Sequence, residues 1–304
     1  MKRFFLILNA FVGLTFGLLP SMAEAKLKVV TTLSTFADLV KTIGQDEVDV
    51  SYVAPPRFNP HFIEPRPSDV LKVKRADLFV HAGLDLELWR WPLVDAAGNA
   101  EVRPGGSREL DLSHGIRLLE VPVVALTRAA GDIHLYGNPH YWVNPENAKV
   151  MAQSICDKLC AIDPQHCEEY RRNLTDFHGR LDQKISEWKT SFDPYKGKEL
   201  VGYHNSWPYL MEFLGLKMDY FLEPKPGIPP TPRQIALVEQ KISSLGILVI
   251  VQPTFYPKDA SKAVSKKTGA KVVLLCENVG ELSEASDYIN LMNYNIEQLL
   301  SVLK

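Results

Sequence analysis

Short apolar runs alternate with helix-like stretches along this chain. They predict an α/β fold: two βα lobes, each a mostly parallel sheet flanked by helices, joined by a long rigid helix. Three observations carry that expectation. Strand-and-helix alternation begins at Leu27 and starts again at Glu199. Between them, Tyr170, Leu174, Phe177, Leu181 and Ile185 recur at helical spacing with no breaker, so roughly Glu168 to Trp188 reads as one uninterrupted helix. The chain of 304 residues also exceeds the ~100–200 usual for one domain. The expected division is 1–25 as a leader, 26–164 as one lobe, 165–192 as the linking helix and 193–304 as the second lobe.

In the first lobe, Leu27–Thr32 is strand-like, and Ser34 can cap a helix from Phe36 to about Ile43. Val48–Val53 alternates as a strand does, and the proline-rich Pro55–Pro60 then makes an extended loop. A short helix opens at Pro67-Ser68-Asp69, Asp77–Val80 is a buried strand, and a helix follows through Leu88 to Leu93. Residues 98–106 and 127–137 read as loops, and Asn144-Pro145 opens a helix to about Ala161. In the second lobe, strands are expected at Glu199–Tyr203, Met218–Leu222, Leu248–Val251 and Lys271–Leu275. Helices are expected at Pro208–Leu214, Pro232–Leu245, Ala260–Thr268 and Tyr288–Leu303, with a stiff proline-rich loop over Pro224–Pro232.

The N-terminus has the form of an export signal. Lys2-Arg3 is followed by an apolar run from Phe4 to Leu19 and by Ala23-Glu24-Ala25, a small-x-small cleavage site after Ala25. An uncleaved anchor is the alternative, but the run is short for a span, and no cysteine near the cleavage site offers a lipid attachment point. Removing this leader takes away Lys2, Arg3 and Glu24, leaving 32 basic against 35 acidic residues. That near-neutral balance argues against nucleic acid as a partner. Four cysteines remain, Cys156, Cys160, Cys167 and Cys276. Cys160 and Cys167 flank a turn between two helices and could meet there; buried unpaired thiols are the alternative.

Two phrases nearly repeat, Asn59-Pro60-His61 and Asn138-Pro139-His140, and each puts a histidine on a proline-stiffened loop. His204 ends the run Glu199–Tyr203, and Glu277 ends Lys271–Cys276. Open α/β sheets place their ligands at such strand ends. Three imidazoles and a carboxylate spread over both lobes are what a metal site between them needs. Taken singly, each has a plainer reading, as a loop histidine or a solvated carboxylate. His134 reads as a solvated loop histidine, His81 as locally bonded, and His114, His166 and His178 as surface or half-buried residues.

Whole stretches then match a family. The segments are 59–69 (Asn-Pro-His-x-x-Glu-Pro-x-Pro-Ser-Asp), Ala76–Val80 with Gly83–Trp89, Asn138–Pro145, the His204 stretch, and Lys266–Val272 leading to Glu277. Over essentially all of 26–304 the chain resembles the zinc/manganese-type (cluster A-I) solute-binding proteins of metal-importing ABC transporters. The resemblance implies one ion held between two βα lobes, with His61, His140, His204 and Glu277 as ligands. It also implies a periplasmic location, a membrane permease with its ATPase as partners, a monomer, and no catalysis. Glu277 stands where the family usually has aspartate, and Gln252 where it commonly has glutamate. A histidine at the His204 position favours Zn²⁺ over Mn²⁺ or Fe²⁺, since manganese members typically carry a carboxylate there. The long His-rich loop of many zinc members is reduced to His134 within 118–137. Two other readings stay open. One is a zinc-dependent hydrolase with Glu277 as general base, although His-Glu-x-x-His is absent. The other is an adhesin or scaffold that binds metal for stability.

Overall fold

The structure, a computed structural model, describes residues 25–122, 134–225 and 227–304. The export signal expected at 1–25 therefore lies almost wholly outside the described residues, as do 127–133 of the expected loop.

Two four-stranded sheets form, and every strand pairing in them is parallel. The first comprises β1 (Leu27–Thr31), β2 (Val48–Tyr52), β3 (Leu78–His81) and β4 (Glu109–Asp111), in the order β2-β1-β3-β4. The second comprises β5 (Glu199–Gly202), β6 (Lys217–Phe221), β7 (Val249–Pro253) and β8 (Lys271–Leu275), in the order β6-β5-β7-β8. Both sheets thus reverse direction of growth after their second strand. Each has a switch point where the crossovers part and leave a crevice at the carboxyl ends of the strands.

Around the first sheet run α1 (Ser34–Gly44), α2 (Pro67–Lys74), α3 (Arg90–Ala97) and α4 (Pro145–Ile162). α1 forms because Phe36, Leu39, Val40 and Ile43 fall on one stripe, and all four are fully buried. α4 starts on an Asn144 cap whose side chain accepts from the Glu146 N–H, with Pro145 in the first turn. The long helix α5 spans Cys167–Phe192, about 39 Å at 1.5 Å per residue. It runs four residues beyond Trp188, because Trp188 and Phe192 continue the buried stripe. The second sheet is flanked by α6 (Pro208–Leu214), α7 (Pro232–Leu245), α8 (Asp259–Thr268) and α9 (Tyr288–Leu303).

Several expectations shift. The helix expected over 88–93 begins at Arg90, because Leu84–Trp89 forms turns. The strand expected over 218–222 is moved one residue earlier. β4 was not expected at all, being three half-buried residues with no apolar run. Cys160 and Cys167 form a disulfide across the turn between α4 and α5, while Cys156 and Cys276 are free and buried.

The main hydrophobic core is continuous from the first lobe through α4 and α5 into α6, β8 and α9. A smaller core on the far side of the second sheet joins Val201, Leu222, Val238, Ile242 and Ile250. The lobes are also stitched by hydrogen bonds. Ser34 donates to the Val279 carbonyl (2.7 Å), Arg57 to the Glu281 carbonyl (2.7 Å) and Asn138 to the Asn205 carbonyl (2.9 Å). A shared core and these cross-links oppose wide opening of the crevice.

Candidate metal centre

The two Asn-Pro-His phrases fold alike. In each, the asparagine Oδ1 accepts the backbone N–H of the histidine two residues on, at 3.0 Å for both Asn59–His61 and Asn138–His140. This side-chain turn, with φ fixed at the intervening proline, sets the histidine's direction before anything binds. The first loop is further held where Trp89 Nε1 donates to the Pro60 carbonyl (2.8 Å). The second is held where Asn138 Nδ2 donates to Glu120 (3.0 Å) and to the Asn205 carbonyl, which also fixes the amide's orientation.

In the second lobe the carboxyl ends of all four strands converge on the crevice. Two residues beyond β5 stands His204, two beyond β6 Glu223, three beyond β7 Tyr256 and two beyond β8 Glu277. Tyr256 stacks on the His204 ring (centroids 5.5 Å apart, 23° between planes) and accepts from Asn59 of the first lobe (3.1 Å).

Three of the four expected ligands come together. Nitrogen atoms of His61, His140 and His204 all lie within 4.8 Å of one another, and the Nε2 atoms of His61 and His140 are 3.1 Å apart. Two imidazole nitrogens this close repel unless a proton or cation lies between them. Neighbouring groups choose the tautomers. His140 Nδ1 donates to Asn138 Oδ1 (3.0 Å), and His204 Nδ1 donates to the buried Glu223 carboxylate, so each Nε2 keeps its lone pair for the crevice. His204 Nε2 is buried with no hydrogen-bond partner among the described residues. Burial, reinforced by the other imidazoles, holds His61 and His140 well below the usual histidine range, so both stay neutral and able to coordinate.

Glu277 is 1 % exposed, and its carboxylate is not among the atoms grouped within 4.8 Å. Its backbone is tied to the group through Trp142: the Glu277 carbonyl accepts from Trp142 Nε1 (2.8 Å), whose ring lies 5.3 Å from that of His140. Neither carboxylate oxygen has a hydrogen-bond partner among the described residues. Burial pushes its pKa up to about 8. The nearby Ser206 hydroxyl, outside bonding geometry, offsets this in part, and the charges of Glu281 and Glu223 add to it. A buried carboxylate without a partner is costly, and a cation is one way to satisfy it.

With that arrangement in view, comparison with known proteins is decisive at the level of family. Residues 29–302 match the family described as the periplasmic component A of the zinc-uptake complex, ZnuA. The chain belongs to this family. It is accordingly a metal-binding component of an ABC metal importer and not an enzyme. Among curated relatives, the manganese ABC transporter substrate-binding lipoprotein PsaA of Streptococcus pneumoniae is 29% identical over 98% of both chains. The metal ABC transporter substrate-binding lipoprotein FimA of Streptococcus parasanguinis is 28% identical, again over 98% of both. Among solved structures, a ZnuA crystal structure superposes with a TM-score of 0.78 at 21% identity, covering 92% of this chain and all of that one. The laminin-binding protein Lmb of Streptococcus agalactiae, described as having adhesin and metal-transporting activity, gives 0.76 at 25% identity over 91% of this chain and all of that one.

Within this ZnuA-family chain, two residues that the sequence reading passed over, Glu223 and Glu281, hold the centre together. Glu223 orients His204, and a carboxylate directly after an apolar strand, as at Glu277, was the signal available for it. Glu281 accepts the backbone N–H groups of Glu277 (2.8 Å) and Asn278 (2.7 Å) and so fixes the turn that presents Glu277. Gln252 is fully buried and donates to the Tyr256 (2.9 Å) and Pro257 (3.3 Å) carbonyls while accepting from Ser261. The amide donates and accepts at once, which an ionised carboxylate could not do. Its place is under the Tyr256 turn. His81 is buried and bonded to Glu109 (2.9 Å), as expected of a local role. His134 departs from expectation. It is tucked into the crevice, stacked on the His61 ring at 5.1 Å and bonded to Asp85.

Proposed function

We propose that this protein captures Zn²⁺ outside the cytoplasmic membrane and delivers it to the permease of its ABC transporter. His61, His140, His204 and Glu277 act as ligands. The observation that carries this reading is the convergence of three histidine nitrogens within 4.8 Å. Three neutral imidazoles form a donor set suited to zinc, and one carboxylate completes four-coordination. Moving the Glu277 side chain toward the group on binding would satisfy its two orphaned oxygens at the same time. The site serves a cargo, so protein ligands fill the coordination sphere and leave no position for a substrate water.

Manganese is the second reading, favoured by the names of the PsaA relatives at 27–29% identity. Oxygen-rich coordination is what manganese prefers, and here the donor at position 204 is nitrogen. In this reading the protein acts in the periplasm as a monomer after cleavage behind Ala25. The deciding experiment is metal analysis of protein taken from its native periplasm, followed by competitive titration of metal-depleted protein with Zn²⁺ and Mn²⁺. Zinc at one equivalent, and preferred in competition, is expected. Stoichiometric manganese that also wins the competition would overturn the zinc assignment.

A further inference from the structure

A cavity of about 260 Å³ adjoins the histidine group, and its wall includes His134, His204, Glu120, Glu223, Asn138 and Lys225. His204 belongs to both the cavity and the group, so the cavity leads to the group. His134 has the construction of a metal ligand. Its Nδ1 donates to Asp85 Oδ1 (2.8 Å), and Asp85 is itself anchored by accepting the Leu135 N–H at Oδ2 (2.7 Å). A histidine whose Nδ1 is bonded to a fixed carboxylate has its lone pair on Nε2, the arrangement that backs metal-bound imidazoles. That Nε2 is buried and has no hydrogen-bond partner among the described residues. The ring lies face to face with His61 (5.1 Å, 28°) and edge-on to His140 (6.0 Å). His134 nevertheless falls outside the set of nitrogens grouped within 4.8 Å.

We infer that this cavity is a vestibule for the incoming divalent transition-metal ion, with His134 Nε2 as a transient outer ligand that passes the ion to His61, His140 and His204. The inference rests on the proposed metal site and adds a route to it. Glu120 and Glu223 on the wall supply negative charge, and Lys225 opposes it in part. The ion sheds hydration water stepwise as each imidazole replaces a water, and no other bond is made or broken. A ligand on the path lowers the barrier between free and bound ion without altering either end state. Its loss must therefore slow binding and release by the same factor.

The test is stopped-flow mixing of the metal-depleted full protein with Zn²⁺, paired with release into excess chelator and equilibrium competition. The variants are His134→Ala and His134→Phe, the second of which keeps an aromatic ring stacked on His61. Both rate constants are expected to fall by roughly tenfold or more, with Kd held within about threefold. An unchanged association rate overturns the inference. So does weaker equilibrium binding through faster release, which would make His134 a ligand of the final site. Rapid mixing of unmodified protein with Co²⁺ gives an independent reading: an intermediate visible spectrum should precede the final one, and a single phase at every concentration overturns the proposal without any variant. Failure of the underlying metal-site reading looks different, namely unmodified protein that takes up no zinc.

Discussion

Replacing Glu277 by glutamine should have opposite effects in the metal-free and zinc-loaded protein. In the metal-free protein the carboxyl is fully buried without a hydrogen-bond partner, and burial raises its pKa from 4.5 to about 8. The folded-state value lies above the unfolded one. Stability from this group is therefore complete below about pH 4.5 and lost as pH rises through about 8. At about 1.4 kcal/mol per pKa unit, the shift sets a ceiling of about 5 kcal/mol; water penetration and relaxation bring the expected cost of ionisation to about 2–3 kcal/mol. Glutamine cannot ionise. Metal-free Glu277→Gln should thus melt several degrees above the parent at pH 9 and near it at pH 5. With zinc the order reverses at pH 5, where the metal-free proteins match, because the variant loses an anionic ligand; at pH 9 the same loss offsets part of its gain. An affinity loss of tenfold or more removes at least about 1.4 kcal/mol of ligand-linked stability. Thermal melts of both proteins at the two pH values, with chelator and with excess zinc, make the measurement. A variant that is destabilised without metal at pH 9, or that keeps the parent's zinc affinity, would refute the reasoning.

Other expectations follow from the same contacts. Glu223→Gln removes the charge behind His204 while keeping its shape, and competitive titration should show zinc affinity lowered by about tenfold to a hundredfold. Gln252→Glu loses two donated hydrogen bonds and places a carboxylate against two carbonyls; chemical denaturation should show a loss of about 2 kcal/mol or more. Opening the Cys160–Cys167 disulfide, which closes a short loop of sequence separation 7, should cost about 2–3 kcal/mol. The comparison is a pair of melts with and without reductant, and little effect on zinc binding is expected, because the bridge sits at the α4–α5 turn.

Much of this architecture is legible in the chain because local patterns and tertiary burial agree. The stripe from Tyr170 to Ile185 could satisfy its spacing only as a helix against a core, and that is where it lies. The strand at Lys271–Leu275 and the helix at Tyr288–Leu303 fall within the residues expected for them. β4 escaped notice because an edge strand of three residues gains its identity from pairing with β3, not from its own apolarity. His134 was misjudged for a similar reason. In sequence it is one histidine in a polar stretch, and only the approach of Asp85, 49 residues away, turns it into the crevice.

The candidate centre divides along the same line. Sequence by itself determined that His61 and His140 sit on rigid loops, since asparagine and proline act through bonds and dihedrals within three residues. It also determined that His204 and Glu277 end strands, because the apolar runs stop there. Tertiary structure alone decided that three of these side chains meet within 4.8 Å while the Glu277 carboxylate stays outside that group. It likewise placed Glu223 behind His204 and Gln252 beneath Tyr256. Local rules fix where a side chain points relative to its own backbone. The distances between side chains on different elements depend on how two sheets and the helix α5 pack, and no short-range pattern carries that information.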